Sequence, residues 1–209
     1  SPLFIELHLV KETYKSSHKQ TRDSATLNNI EVWYPNMSKL QKQRFNLIKG
    51  VNEFMNERVS EAIYYLKRNL EIIANEKALA ITLSYLAEAA ALSFKTYMAV
   101  EYGKKASKLH TKYNNIFRKL KTDLTVIKSL IEFGNYEDAD SRLRNMHYMQ
   151  NEEKDRNDLK NTINILSAYL LFRKEQYEDA LELLYAVDDK TPDYNFYKAD
   201  IYNALNETK

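Results

Sequence analysis

The stretch Tyr177-Glu178-Asp179-Ala180, running on through Leu184 and Val187 to Pro192, decides how this chain is read. Ala180, Leu184 and Val187 stand at i, i+4 and i+7, which is one face of an α-helix. The pattern recurs three times upstream. Tyr136-Glu137-Asp138-Ala139 leads to Leu143 and Met146, Thr96-Tyr97-Met98-Ala99 to Gly103 and Ala106, and Val59-Ser60-Glu61-Ala62 to Leu66 and Asn69.

Twelve residues before the four alanines lie Gly50, Ala87, Ile127 and Ala168, three of them small. A small residue on each side lets two helices of a hairpin approach closely. This arrangement resembles the tetratricopeptide repeat, with its small residue in helix A, an aromatic-x-x-Ala entry to helix B and a Pro at the end, where Pro192 stands. The resemblance covers residues 43–192. The alanines are spaced 37 (62 to 99), 40 (99 to 139) and 41 (139 to 180) residues apart, against about 34 in the standard repeat, so helices or loops are longer here.

The spacing predicts A helices over Leu40 to Met55, Ala78 to Phe94, Ile116 to Phe133 and Leu159 to Arg173. The B helices follow over Val59 to Ala74, Tyr97 to Lys112, Tyr136 to Met149 and Tyr177 to Val187. The expected fold is all-α, a right-handed superhelix of about four tetratricopeptide-like hairpins over 38–192, with a capping helix over 193–209 and an N-terminal extension over 1–37. A non-repeating helical bundle is the alternative, since apolar residues at these spacings occur in any amphipathic helix.

In the extension, Ser1-Pro2 followed by Leu3, Phe4, Leu7 and Val10 looks helical, although Phe4 to Val10 is apolar enough for a strand. Ser16 to Asn29 reads as a polar loop, and Ile30, Val32, Trp33 and Tyr34 are expected to pack on the open end of the first hairpin. Tyr194, Tyr197, Ile201 and Leu205 form the stripe of the cap. Gly50 and Gly103 fit close helix crossings, and Gly134 a turn of positive φ.

Composition agrees with a helical repeat and narrows function. Of 209 residues 44% are hydrophobic and only 3 are Gly and 3 Pro, which leaves little punctuation for strands. A net charge of +2 gives no global field toward nucleic acid or an anionic membrane. The absence of Cys removes disulfides and thiolate chemistry and fits a reducing compartment. No apolar run is long enough for a membrane span and no leader pattern opens the chain, so a cytoplasmic protein without membrane contact is expected. Ser1 stands where an initiator Met would, so a processed product or an excised fragment is also expected.

Catalysis would need converging side chains. His8, His18, His110 and His147 are scattered without ligand spacing and read as surface residues. Glu152-Glu153 and Asp188-Asp189 read as solvated turns, and the three glycines stand too far apart for a phosphate loop. No catalytic residue, metal or cofactor is expected, and a phosphatase acting on a partner would need a Gln or carboxylate that no motif marks. The Lys-rich stretch from Lys104 to Lys121 reads as solvated helix surface.

What remains is the inner face of the array, to which the A helices of the family contribute. Carried over by the family pattern, the inward set is Arg44, Leu47, Ile48, Val51, Phe54 and Met55, then Ile81, Ser84, Tyr85, Glu88, Ala91 and Leu92. Lys121, Leu124, Thr125, Lys128, Ile131 and Glu132 follow, then Thr162, Ile165, Leu166, Tyr169, Phe172 and Arg173. The ligand-binding candidates among them are Arg44, Tyr85, Glu88, Lys121, Thr125, Lys128, Tyr169 and Arg173. The mixture suits an extended peptide with apolar side chains and an acidic group or free C-terminal carboxylate. Several of these side chains are equally suited to filling the space between repeats. The Lys and Asn carboxylate clamp of co-chaperone members is not reproduced.

Long repeats, abundant Lys, Asn, Ile and Tyr, and the start without Met resemble the C-terminal sensor domain of peptide-responsive bacterial regulators related to PlcR, Rgg and the Rap proteins. That resemblance implies a short signalling peptide as ligand, a homodimer, and contact with DNA only through a helix-turn-helix domain absent from this chain. A general protein–protein adaptor with no small ligand is the second reading.

Overall fold

A computed structural model describes Ile5, Leu9 and residues 24–152, 157–187 and 192–207. Among the described residues there is no strand, and ten α-helices have described bounds. Helix α1 is Ser24–Glu31, followed by a 3-10 turn at Tyr34–Asn36. The four A helices are α2 (Lys39–Met55), α4 (Glu76–Leu92), α6 (Ile116–Phe133) and α8 (Asn157–Arg173). The four B helices are α3 (Val59–Leu70), α5 (Thr96–Lys112), α7 (Tyr136–Glu152) and α9 (Tyr177–Tyr185), and α10 is Pro192–Glu207. All eight repeat helices expected from the sequence are present. The chain forms two compact units that meet in sequence between Thr122 and Asp123, within α6.

Local chemistry explains the helix starts. Ser38 accepts from the Gln41 backbone N–H while the Gln41 side chain accepts from that of Ser38, so two otherwise orphaned donors are satisfied before α2. Asn75 does the same for α4 by accepting from the N–H groups of Lys77 and Ala78.

Every A helix passes to its B helix through one turn geometry. The residue five before each anchor alanine has positive φ: Glu57 (62°), Phe94 (55°), Gly134 (82°) and Glu175 (64°). The next backbone N–H then reaches back five residues, from Arg58 to Glu53, Lys95 to Ala90, Asn135 to Leu130 and Gln176 to Leu171, at 2.9 to 3.0 Å. This is the Schellman closure, which satisfies the last carbonyls of the A helix. Only one of the four positions uses Gly.

In unit 1, α2 packs on α3, α4 on α5, and α4 also against α3 and α2. Gly50 faces Leu66, and a Cβ on it would lie 2.7 Å from Leu66 Cγ, so the small residue of the pattern is sterically required here. The anchors Ala62 and Ala99 and the helix A residue Ala87 are buried. Ile5, Leu9, Leu27, Ile30, Met37, Phe45 and Ile48 form a core cluster with Tyr34 and Tyr65 against it. Beside it a buried ammonium, Lys49, lies 3.6 Å from Glu31 and 3.4 Å from Glu53, with Asn28 as a third partner. The Tyr65 hydroxyl donates to Glu31 at 2.5 Å, and Arg58 pairs with Glu53. The ionic set thus links α1 to the first hairpin.

Two details of the N-terminal extension differ from the sequence reading. Ser24 to Glu31 is helix and not loop, because Leu27 and Ile30, three residues apart on one face, are both buried in the core cluster. Val32 and Trp33 do not pack inward. They are 78% and 44% exposed in the turn after α1, and Ile30 and Tyr34 make the contact instead. Ile5 and Leu9 are helical, at i and i+4; the other residues named between Ser1 and Asp23 lie outside the described residues.

In unit 2, α7 packs on α8, α8 on α9, and α10 on both α8 and α9. Ala139, Ala168 and Ala180 are buried at the expected places, and Ile127 is accommodated without exposure. Pro192 is the first residue of α10, where its missing N–H costs nothing. Tyr194, Tyr197 and Ile201 of the expected stripe are buried, and Leu205 is half-buried.

Candidate functional site

The candidate side chains separate into two groups, each within one unit. In unit 1 Phe54 on α2 and Tyr85 on α4 meet edge to face, with ring centroids 5.8 Å apart and an interplanar angle of 65°. The Arg118 guanidinium, from the first turn of α6, lies over the Tyr85 ring, 5.3 Å from its centre. One turn along each helix, Lys121 of α6 is 3.4 Å from the Glu88 carboxylate of α4. Glu88 is largely buried while half of the Lys121 side chain is exposed. Burial raises the Glu88 carboxyl above its ordinary value, and Lys121 and Arg118 draw it only partly back.

Beneath this face runs a buried polar line. Ser84 Oγ is 2.9 Å from His110 Nε2 on α5, 2.9 Å from Thr122 Oγ1, and donates to the Ala80 carbonyl at 3.0 Å. His110 is therefore a buried, hydrogen-bonded residue and not the surface histidine expected from its isolation in sequence. His147 is also withdrawn from water; burial lowers its pKa, and it lies 3.4 Å from Ser167. His8, His18, Glu153 and Asp188-Asp189 lie outside the described residues.

In unit 2 the candidates already have partners within the fold. Lys128 of α6 donates to Asp193 of α10 at 3.1 Å. The Tyr169 hydroxyl on α8 donates to Glu132 at 2.6 Å and accepts from Arg173 at 3.0 Å, while Arg173 also lies 3.5 Å from Glu132. Burial, then the bond to Glu132, pushes the Tyr169 hydroxyl up to about 12. The Tyr197 ring of α10 stacks on Tyr169.

Of the remaining candidates, Arg44 is exposed on α2 and Thr125 is half-buried on α6. Several inward positions serve as core: Val51, Ile48, Ile131, Ile165 and Leu166 are buried, and Leu47, Phe54 and Tyr85 pack on the cluster around Leu66 and Leu86. Arg118, Asp193 and Tyr197 are absent from the sequence-derived ligand candidates, although Tyr197 belongs to the expected stripe of the cap. Arg118 was within reach, since it stands three residues before Lys121 and shares its face.

No family model matches this chain, and no curated protein does. Solved structures do. NprR in complex with its cognate peptide NprX superposes with a TM-score of 0.79 at 13% identity, over 99% of this chain and 62% of that one. A Rap protein complexed with Competence and Sporulation Factor gives 0.71 at 17%, over 98% and 58%. The fold is theirs. The apo form of RapI gives 0.66 at 16% identity, over 87% of this chain and 56% of that chain. The chain thus spans roughly three fifths of the length of these neighbours, and the likeness is one of all-helical, tetratricopeptide-like repeats.

Proposed function

We propose that this chain is the peptide-sensing repeat domain of a bacterial regulator, with a short signalling peptide held on its A-helix faces. The observation that carries the reading is the Phe54–Tyr85–Arg118 group, which brings aromatic surface and a cation from three successive A helices to one place. Such a surface supports recognition of a short peptide, and NprR, whose fold is shared, is seen with its cognate peptide. Residues 38–192 are the array in this reading, 193–209 its cap and 1–37 an extension. Action as a dimer, in the cytoplasm and without catalysis belongs to the same proposal; no helix among the described residues is long and apolar enough to cross a membrane.

Mass spectrometry of small molecules released from the purified chain by acid tests it. Recovery of one peptide that rebinds in titration is the expected result, and recovery of none that rebinds refutes the reading. The adaptor reading has its own observation. Leu92, Phe94 and Tyr97 are all exposed around the turn from α4 to α5, and such apolar surface suits a protein partner.

A further inference from the structure

We infer that the ligand seat lies in unit 1, and that Arg118 and Lys121 make it selective for a peptide ending in an apolar residue with a free C-terminal carboxylate. The inference rests on the peptide-binding reading and specifies its chemistry.

Charge comes first. Arg118 and Lys121 stand against one carboxylate, Glu88, which is largely buried while Lys121 remains half exposed. Of the three charges the anion is the most withdrawn from solvent, while Lys121 stays exposed and Arg118 half-buried. An incoming carboxylate meets a guanidinium that can bind it with two parallel hydrogen bonds, with an ammonium one turn further on.

Geometry distinguishes a chain terminus from an internal acid. The guanidinium lies 5.3 Å from the Tyr85 ring centre, so the cation and the aromatic surface lie within the reach of one residue. In an extended peptide successive side chains point to opposite faces, and residues two apart are separated by roughly 6.5–7 Å along the chain. An internal Asp or Glu can share this span only with the residue two positions away, because its immediate neighbours point to the opposite face. A C-terminal Leu, Ile, Val or Phe delivers both groups from a single Cα, its carboxylate to Arg118 and its side chain to Tyr85 and Phe54.

The equivalent positions of unit 2 are closed by the fold. Lys128 is engaged by Asp193, Tyr169 is covered by Tyr197, and Glu132, Tyr169 and Arg173 satisfy one another. A carboxylate arriving there meets a ring already stacked on by Tyr197 and an Arg173 already bonded to Tyr169, whereas in unit 1 two cations, Arg118 and Lys121, share the single carboxylate of Glu88.

The test uses two sets of synthetic heptapeptide pools, each pool with one fixed C-terminal residue and the other positions randomised, one set with free C-terminal carboxylates and one amidated, read by fluorescence polarisation on the full chain. Free-acid pools ending in Leu, Ile, Val or Phe should bind. Amidation should weaken binding about 10- to 100-fold, the range expected for a lost hydrogen bond to a charged group. Arg118→Ala should weaken the free-acid pools to the same extent without affecting the amidated ones. Arg118→Lys should recover part of the loss, which a misfolded variant would not do. Lys128→Ala should bind like the parent chain. Equal binding of acid and amide pools, or a loss with Lys128→Ala matching that with Arg118→Ala, overturns the inference and leaves peptide binding standing. No binding by any pool overturns both.

Discussion

The Tyr169 and Tyr197 rings lie almost parallel, 13° apart in plane and with centroids 4.2 Å apart, so that α10 covers an aromatic residue of α8 that the repeat pattern assigns to the ligand face. Both rings are buried. Tyr197→Ala removes a buried ring and its stacking partner together and should cost about 3–5 kcal/mol. Urea unfolding checks this. Tyr197→Phe keeps the stack and should cost much less; equal losses would mean that the hydroxyl, and not the ring, secures the helix.

The turn residues allow a paired test of backbone strain. A left-handed conformation costs a side-chain-bearing residue roughly 1–2 kcal/mol, and Gly gives back about 0.5–1 kcal/mol through its freer unfolded chain. Phe94 has φ of 55° and is 91% exposed, so Phe94→Gly sacrifices no packing and should stabilise by about 0.5–1 kcal/mol. Gly134→Ala should destabilise by about the same amount, because a Cβ there meets nothing within 4 Å and only φ opposes it. Denaturant midpoints shifting in the same direction for both variants would contradict the shared geometry.

Helix crossings allow little added volume. Gly50→Ala places a methyl 2.7 Å from Leu66 Cγ, and Ala180→Leu inserts a branched chain at a fully buried site. Each should cost about 1–3 kcal/mol through displaced neighbours. An unchanged thermal midpoint for either would place the crossing elsewhere.

Glu88 should leave a pH signature in stability. Burial raises its folded-state carboxyl above the ordinary 4.5, so the folded chain holds this proton more tightly than the unfolded one. Its contribution is then most favourable at and below about pH 4.5, and is lost as pH rises through the raised value. Subtracting the stability of Glu88→Gln from that of the parent should give a difference that falls as pH rises from about 4.5 and then levels. A flat or rising difference would show that Lys121 compensates burial fully.

Much of the fold was legible because one alanine in four segments fixes both the register and the helix pair around it. The turns were less so. Gly134 announces positive φ, but Glu57, Phe94 and Glu175 adopt it with nothing in residue type to mark them. Helix α1 was missed because two apolar residues, Leu27 and Ile30, give too little periodicity, and the helix is held by tertiary burial. At the site, one-turn spacing could have added Arg118 to Lys121. No spacing links Lys128 to Asp193, 65 residues away, or Tyr169 to Tyr197. Cross-element pairs of this kind are settled by packing.

Over the described residues the A helices span 17, 17, 18 and 17 residues, whereas the B helices span 12, 17, 17 and 9. With the A-to-B turn held to one backbone path, the uneven spacing of the repeats falls, among the described residues, on the B helices and the links that follow them. Insertions and deletions therefore have a permitted address in this protein. Residues added between Leu70 and Glu76 lengthen a link, but a single residue added between Met55 and Val59 would break the turn in which Glu57 takes positive φ and the Arg58 N–H reaches back to Glu53. Length variation among homologues, or in chimaeras made by exchanging hairpins, should fall at the first place and spare the second.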